Sequence, residues 1–483
     1  MLKKTAHLLL FVLVAKASFA MAKDKPFNVL FIAVDDLRPE LACYGARAKT
    51  PNIDRLAESG LRFDRAYCNQ AVCGASRVSL MTGLYPEYTG ERTYHVTDWR
   101  KRWAKIVTLN QHFKANDYTT IGLGKIYHGS MGPGVDPDNW TQWVRVHGKP
   151  YGDPESMKPE NTRPHKGKRR GPSTEAADVP DETFSDGLRA KEGAAQIRKL
   201  VKAGEPFFLA VGFTKPHLPF VAPKKYWDLY NRNSFSMPSN LSIPPGYPTY
   251  AANRNAGELR SYSDIPRQGL PSAFPDKLNK RLIHGYHACV SYVDRNIGIL
   301  IDTLHKSGAA KNTIVVLWAD HGWKLGDHSS WCKHTNFECD ARVPLIIQHP
   351  GSGFARGKTE ALVELIDLYP TLCELTGLDK PNHLQGKSLV PVLKNPAASH
   401  RDSAYSSYPA NPGKGRKGVI GHSIRTDQHR YTEWWETGTD KIVASALTDI
   451  ESDPGETTAV TGEKELKEKL SAHLRKRILA VRK

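Results

Sequence analysis

The stretch 27–36, FNVLFIAVDD, constrains the fold of this 483-residue chain more than any other. Its run from Phe27 to Val34 is apolar at almost every position, so a strand made from it has no wet face and belongs inside a helix-covered parallel sheet. Asp35 and Asp36 then stand at its C-terminal end, the edge where open α/β sheets place their sites. Two adjacent acids repel each other unless something positive lies between them. A hard divalent cation with oxygen ligands meets that need; a turn or helix cap is the ordinary alternative. The same arrangement returns along the chain. Thr313 to Trp318 runs into Asp320 and His321, Phe207 to Phe213 into Lys215 and His217, and Tyr118 to Leu123 into GKIYHG, with Lys125 and His128.

Helical patterns separate these strands, over 50–60, 108–116, 182–202, 277–306 and 367–378. Leu61 to Cys68 and VPLIIQHP read as further strands. The alternation across 27–380 predicts an α/β fold, a large mostly parallel sheet sandwiched by helices. From about Ser388 the pattern changes to short alternating segments, HSIRTDQHRYTEWWE and KIVASALTDI, followed by a basic helix over 463–483. The expected division is a catalytic domain over 23–387 and a smaller α+β subdomain over 388–483. Residues 129–183, which include RPHKGKRRG, and 230–275 are rich in Gly, Pro and polar residues and read as surface excursions.

Between the first strands lies AVCGASRVSLMTG, 71–83. It reads as a short helix with Ser76 and Arg77 in its first turn and Gly83 as its stop. A helix N-terminus favours an anion, so Cys73 and Arg77 would share one anion-binding corner. A lone cysteine there is ordinarily a small buried apolar residue. Asp35, Asp36 and Asp320, with His321, would converge on that corner. Three carboxylates plus oxygens from elsewhere suit calcium, with magnesium a stricter octahedral alternative.

The pattern Cys73, Ala75, Arg77, Thr82, Gly83 resembles the signature of the type I sulfatases, members of the alkaline phosphatase superfamily, with Ala75 where Pro is usual. The blocks VDD at 34–36, GK at 124–125, KPH at 215–217, ADHG at 319–322, Lys333 and DIESDPGET at 449–457 follow in the family's order. Within the family the likeness is greatest to iduronate-2-sulfatases, through VDDLRPELACYG, GKIYHG, AVGFTKPHLPF and SIRTDQHRYTEW. The resemblance implies an alkaline-phosphatase-like fold and a sulfuric ester hydrolase. It further implies that a maturation enzyme oxidises Cys73 to formylglycine and that calcium is bound by Asp35, Asp36, residue 73, Asp320 and His321. In the mechanism it implies, hydrated residue 73 attacks sulfur while Arg77, Lys125 and Lys333 stabilise charge. His217 protonates the leaving oxygen, with Lys333 a second donor, and His128 deprotonates the second hydroxyl to expel sulfate. A phosphodiesterase or phosphonate monoester hydrolase is the alternative reaction, and an inactive polysaccharide-binding homologue the alternative class.

Lys plus Arg total 68 against 50 Asp plus Glu, a formal charge of +18. That balance draws polyanions. With no nucleic-acid-binding motif present, a sulfated glycan is the expected partner: a glycosaminoglycan or an algal polysaccharide. Lys3 and Lys4, the apolar run Leu8 to Val14, and Ala20 and Ala22 read as a signal peptide over 1–22, so periplasmic or extracellular export is expected without a membrane anchor. Apart from Cys73 the cysteines are Cys43, Cys68, Cys289, Cys332, Cys339 and Cys373; their spacing gives no zinc motif, and their pairing stays open.

Overall fold

The computed structural model describes residues 26–96, 98–128, 136–415 and 417–482; the signal peptide expected over 1–22 lies outside them. Asn28–Asp35 is fully buried at the centre of a nine-stranded sheet. It pairs in parallel with Thr313–Ala319 on one side and Phe207–Pro216 on the other. Thr119–Gly124 and Gln142–Val144 extend the sheet in parallel beyond Phe207–Pro216. On the other side follow Arg342–Gln348, Leu61–Tyr67 and Gly357–Thr359, with Val363–Glu364 also pairing to Leu61–Tyr67.

The period-2 alternation of Phe207–Pro216 shows how the sheet is covered on both faces. Phe208 meets Phe113, on helix Leu109–Ala115, and Trp140. Val211 points the other way, toward Gly193 on helix Ser185–Ala203, which in turn faces Leu300 on helix Asp276–Lys306. A side chain at Gly193 would lie 2.7 Å from Leu300 Cδ2, so its absence sets how closely the two helices pack.

One strand runs against the parallel majority. Arg342–Gln348, the VPLIIQHP strand, runs antiparallel to both neighbours, so the sheet is mixed. A parallel return needs a crossover of a dozen or more residues, usually a helix. The connection from Asp320 to Ala341 instead folds back at the same edge, through the Lys324–Leu325 and Trp331–Cys332 hairpin and the four-residue helix Glu338–Ala341. The 129–183 excursion is also more structured than its composition suggests. Gln142–Val144 joins the main sheet, and Arg163–His165 pairs with Lys168–Arg170 around Lys166 and Gly167, both at positive φ as a tight hairpin turn requires.

Ala404–Ala410, Val419–Arg425, His429–Glu436 and Ile442–Asp449 form a separate antiparallel sheet. Helix Lys464–Val481 lays Leu470, Leu474, Ile478 and Val481 against Tyr405, Ile424, Tyr431, Trp435 and Leu447 of that sheet. Arg430 ties it to the larger part by pairing with Glu338, while Glu456 flanks the same guanidinium. All seven cysteines are unpaired. No helix among the described residues is long and apolar enough to cross a membrane.

Candidate active site

Every strand-end block meets at one edge because the strands carrying them are parallel. Asp35 and Asp36 close the central strand, Asp320 and His321 follow its neighbour, and Lys125 and His217 follow the two strands on the other side. Leu61–Tyr67 points the same way, so the loop after it delivers Cys73 to this edge as the first residue of helix Cys73–Thr82, which Gly83 ends at φ 69°. Lys125 is aimed by a close backbone approach. Gly124 has φ 76°, and a Cβ on it would lie 2.0 Å from the Gly212 carbonyl oxygen.

Asp36 also sits at positive φ, 58°, a conformation sparsely used by residues other than glycine. Its N–H donates to Asp320 Oδ1 at 3.1 Å, and the Tyr286 hydroxyl donates to its carbonyl at 2.9 Å, which together over-determine the bend. The thiol of Cys73 lies at the focus: Sγ is 3.2 Å from His321 Nε2, 3.7 Å from Lys125 Nζ and 4.0 Å from Asp36 Oδ1. Burial, with Asp35 adding to it, pushes this thiol well above its usual range, so the unmodified side chain stays protonated and is a poor nucleophile.

Three cations balance the acids, and they do different things. Arg77 is fully buried behind the corner. It donates to Asp320 Oδ2 at 2.9 Å, Asp35 Oδ1 at 3.2 Å and the carbonyls of Lys125 and Ile126, so one guanidinium binds three strand ends together. Lys125 pairs with Asp35, and Lys333 donates to both oxygens of Asp36 at 3.0 and 3.1 Å. Burial opposes ionisation of Asp35, yet Lys125, His217 and Arg77 hold its carboxyl well below the usual range. Asp36 goes the other way: burial outweighs Lys333 and raises it.

Donor atoms of Asp35, Asp36, Cys73 and His321 all lie within 4.8 Å of one another. The fifth expected ligand, Asp320, stands beside this group, with Oδ2 3.5 Å from His321 Nε2. His321 donates from Nδ1 to the Gly322 carbonyl at 2.9 Å and turns Nε2 toward Cys73 Sγ at 3.2 Å and carboxylate oxygens of Asp36 and Asp320, each at 3.5 Å. An imidazole nitrogen and carboxylate oxygens converging on one point are a donor set that fits a metal ion. It is a cluster that can hold a metal.

The two remaining histidines take different positions. His128 packs edge-on to Tyr94, ring centroids 5.9 Å apart, and its buried Nδ1 has no hydrogen-bond partner among the described residues. Burial and Lys125 push it down to about 3, so it stands neutral at ordinary pH. His217 donates from Nδ1 to the Leu218 carbonyl at 2.6 Å and turns Nε2 toward Glu258 Oε1 at 2.9 Å. Glu258 also takes Lys333, Oε2 to Nζ 2.9 Å, a position no sequence reading picked out. It lies in a stretch with no strand or helix period. Only the fold brings it to the site.

The side chains of His217 and Glu258 keep 19% and 22% of their surface exposed, whereas Asp35, Asp36, Asp320 and His321 keep none; the pocket therefore opens on the His217 side. The basic hairpin reaches the same region. Lys166 Nζ donates to Tyr94 OH at 3.1 Å, and Tyr94 backs directly onto Gly74, next to the Cys73 backbone.

Comparison with known proteins shows what the chain is similar to. The sulfatase family model matches residues 27–378, and the model for the N-sulphoglucosamine sulphohydrolase C-terminal region matches 326–483. Iduronate 2-sulfatase of Mus musculus is 33% identical over 475 residues, covering 84% of this chain and 84% of the relative. A solved structure in complex with its substrate D-glucosamine-2-N,6-O-disulfate superposes with TM-score 0.72 at 22% identity, covering 95% of this chain and 98% of the other. The phosphonate monoester hydrolase of Agrobacterium radiobacter superposes with TM-score 0.71 at 24% identity, covering 94% and 96%, so the fold is that of both groups. The family match spans the strand ends that build the corner around residue 73, and the chain belongs to the sulfatase family, a sulfuric ester hydrolase.

Proposed function

We propose that this sulfatase is exported and removes sulfate from a sulfated glycan, using a formylglycine made from Cys73 and a bound calcium. The observation that carries the reading is the surroundings of residue 73: a thiol too buried to ionise, set among Lys125, His321 and Asp36 within 4.0 Å. Such a corner suits an oxygen nucleophile and an anion, and Sγ marks where that oxygen would stand. When converted and hydrated, residue 73 would supply a hydroxyl as nucleophile toward sulfur, and calcium, which Asp35, Asp36, Asp320 and His321 would hold, would supply positive charge to the sulfate oxygens.

The chain's own residues account for the rest. Lys125 and Lys333 offer preorganised positive charge on two sides of residue 73. Arg77 stabilises charge from behind: its donors are engaged by Asp35, Asp320 and the carbonyls of Lys125 and Ile126, so it also holds the acids in place. His217, at the open side, gives a proton to the departing sugar oxygen. His128, whose Nδ1 has no hydrogen-bond partner among the described residues, takes the proton whose removal releases sulfate. A glycan is favoured by the +18 charge, by the basic hairpin beside the mouth, and by the relatives' names, iduronate 2-sulfatase above all.

Trypsin should release residues 66–77, AYCNQAVCGASR, and weighing that peptide tests the nucleophile. The aldehyde or its hydrate at position 73 is the expected mass. Unmodified cysteine in preparations that hydrolyse sulfate esters would refute it.

A further inference from the structure

The hydrogen-bond roles around His217 assign a task to Glu258. The Leu218 carbonyl only accepts, so the 2.6 Å contact places a hydrogen on Nδ1. The opposite nitrogen, Nε2, faces the pocket's open side and lies 2.9 Å from Glu258 Oε1. The other oxygen of Glu258 holds the Lys333 ammonium at 2.9 Å, so one carboxylate spans both groups able to protonate a leaving oxygen.

We propose that Glu258 is a positioning residue for leaving-group protonation: one carboxylate fixes Nε2 of His217 and the ammonium of Lys333 side by side at the pocket's open side, where the oxygen departs with the sugar. The inference rests on the sulfatase reading of the site. The carboxylate is fixed well enough for the task. Buried Leu259 and Tyr262 anchor its segment, and Arg163 of the basic hairpin donates to the carbonyls of Arg260, Ser263 and Ile265 at 2.8 to 3.0 Å. Burial opposes its ionisation, but Lys333 and His217 hold Glu258 well below the usual carboxyl range. A second metal is not needed to explain the grouping of Asp36, His217 and Glu258, because Lys333 already stands between Asp36 and Glu258.

The test is the dependence of kcat/KM on leaving group across aryl sulfates, from 4-nitrophenyl, which departs with little protonation, to 4-methoxyphenyl, which needs more. Wild type, Glu258→Gln and Glu258→Asp are compared, with residue 73 conversion measured in each preparation. A general acid contributes roughly 10²–10⁴-fold, so Glu258→Gln should lower turnover of the 4-methoxyphenyl ester about 10- to 100-fold and that of the 4-nitrophenyl ester far less. Glu258→Asp, too short to span both donors, should fall between. In a His217→Ala background the Glu258→Gln loss should shrink, since the two act as a unit. An equal loss across the series, or full additivity with His217→Ala, would overturn the proposal. Active enzyme carrying an unconverted thiol would instead strike the formylglycine reading, while the leaving-group comparison remained readable.

Discussion

Arg77→Leu tests whether the guanidinium is the clamp that holds three strand ends in register. The substitution removes a buried charge whose partners, Asp35 and Asp320, are themselves fully buried, and it orphans the carbonyls of Lys125 and Ile126. Breaking one side of a buried ion pair costs about 3–5 kcal/mol, mostly because the remaining charge has nowhere to go. At about 2.1 cal/mol/K per residue, the unfolding entropy of 483 residues is about 1 kcal/mol/K, so the melting temperature should fall about 3–5 °C. Arg77→Lys keeps the charge but cannot span Asp35, Asp320 and two carbonyls, and should lose about 1–3 kcal/mol. Calorimetry in a Cys73→Ala, calcium-free background separates this from catalysis. Asp320→Asn combined with Arg77→Leu should cost less than the sum of the two, with a coupling of about 0.5–3 kcal/mol. A shift under about 1 °C for Arg77→Leu, or strict additivity with Asp320→Asn, would refute the clamp.

Calcium at a hundredfold excess over its dissociation constant should stabilise the protein by about 2.7 kcal/mol, and Asp36→Asn should abolish most of that gain in the same melt. His422 is pushed down to about 3 by burial, with Arg92 and Arg482 adding to it, against 6.5 when unfolded. The unfolded chain therefore takes up a proton there, and this stability, present above pH 6.5, is lost as pH falls toward 3; His422→Asn should flatten the decline seen by urea denaturation. Lys166→Glu should raise KM for a sulfated oligosaccharide more than for an aryl sulfate, and the difference should narrow as salt screens it.

The strands and their acids were legible because each is a local pattern. FNVLFIAVDD, TIVVLWADHG and PFFLAVGFTKPH carry a buried strand and its terminal chemistry within about a dozen residues, and a parallel sheet brings such ends to one edge. Helix Cys73–Thr82 and its Gly83 stop were readable for the same reason. The direction of Arg342–Gln348 was not, since a run buried on both faces looks alike in either orientation and only the folded-back connection decides it. Nor was the use of Arg77: the sequence puts it in the helix's first turn, but three strand ends determine which way its donors turn. Glu258 is the extreme case, an acid in an aperiodic stretch placed against His217 and Lys333 by contacts 41 and 75 residues away in the chain. The sequence by itself determined the fold class and the chemistry of each strand end. Tertiary structure alone decided the reversed strand, Arg77's partners and the place of Glu258, because periodicity records which face a residue buries but not which distant groups it meets there.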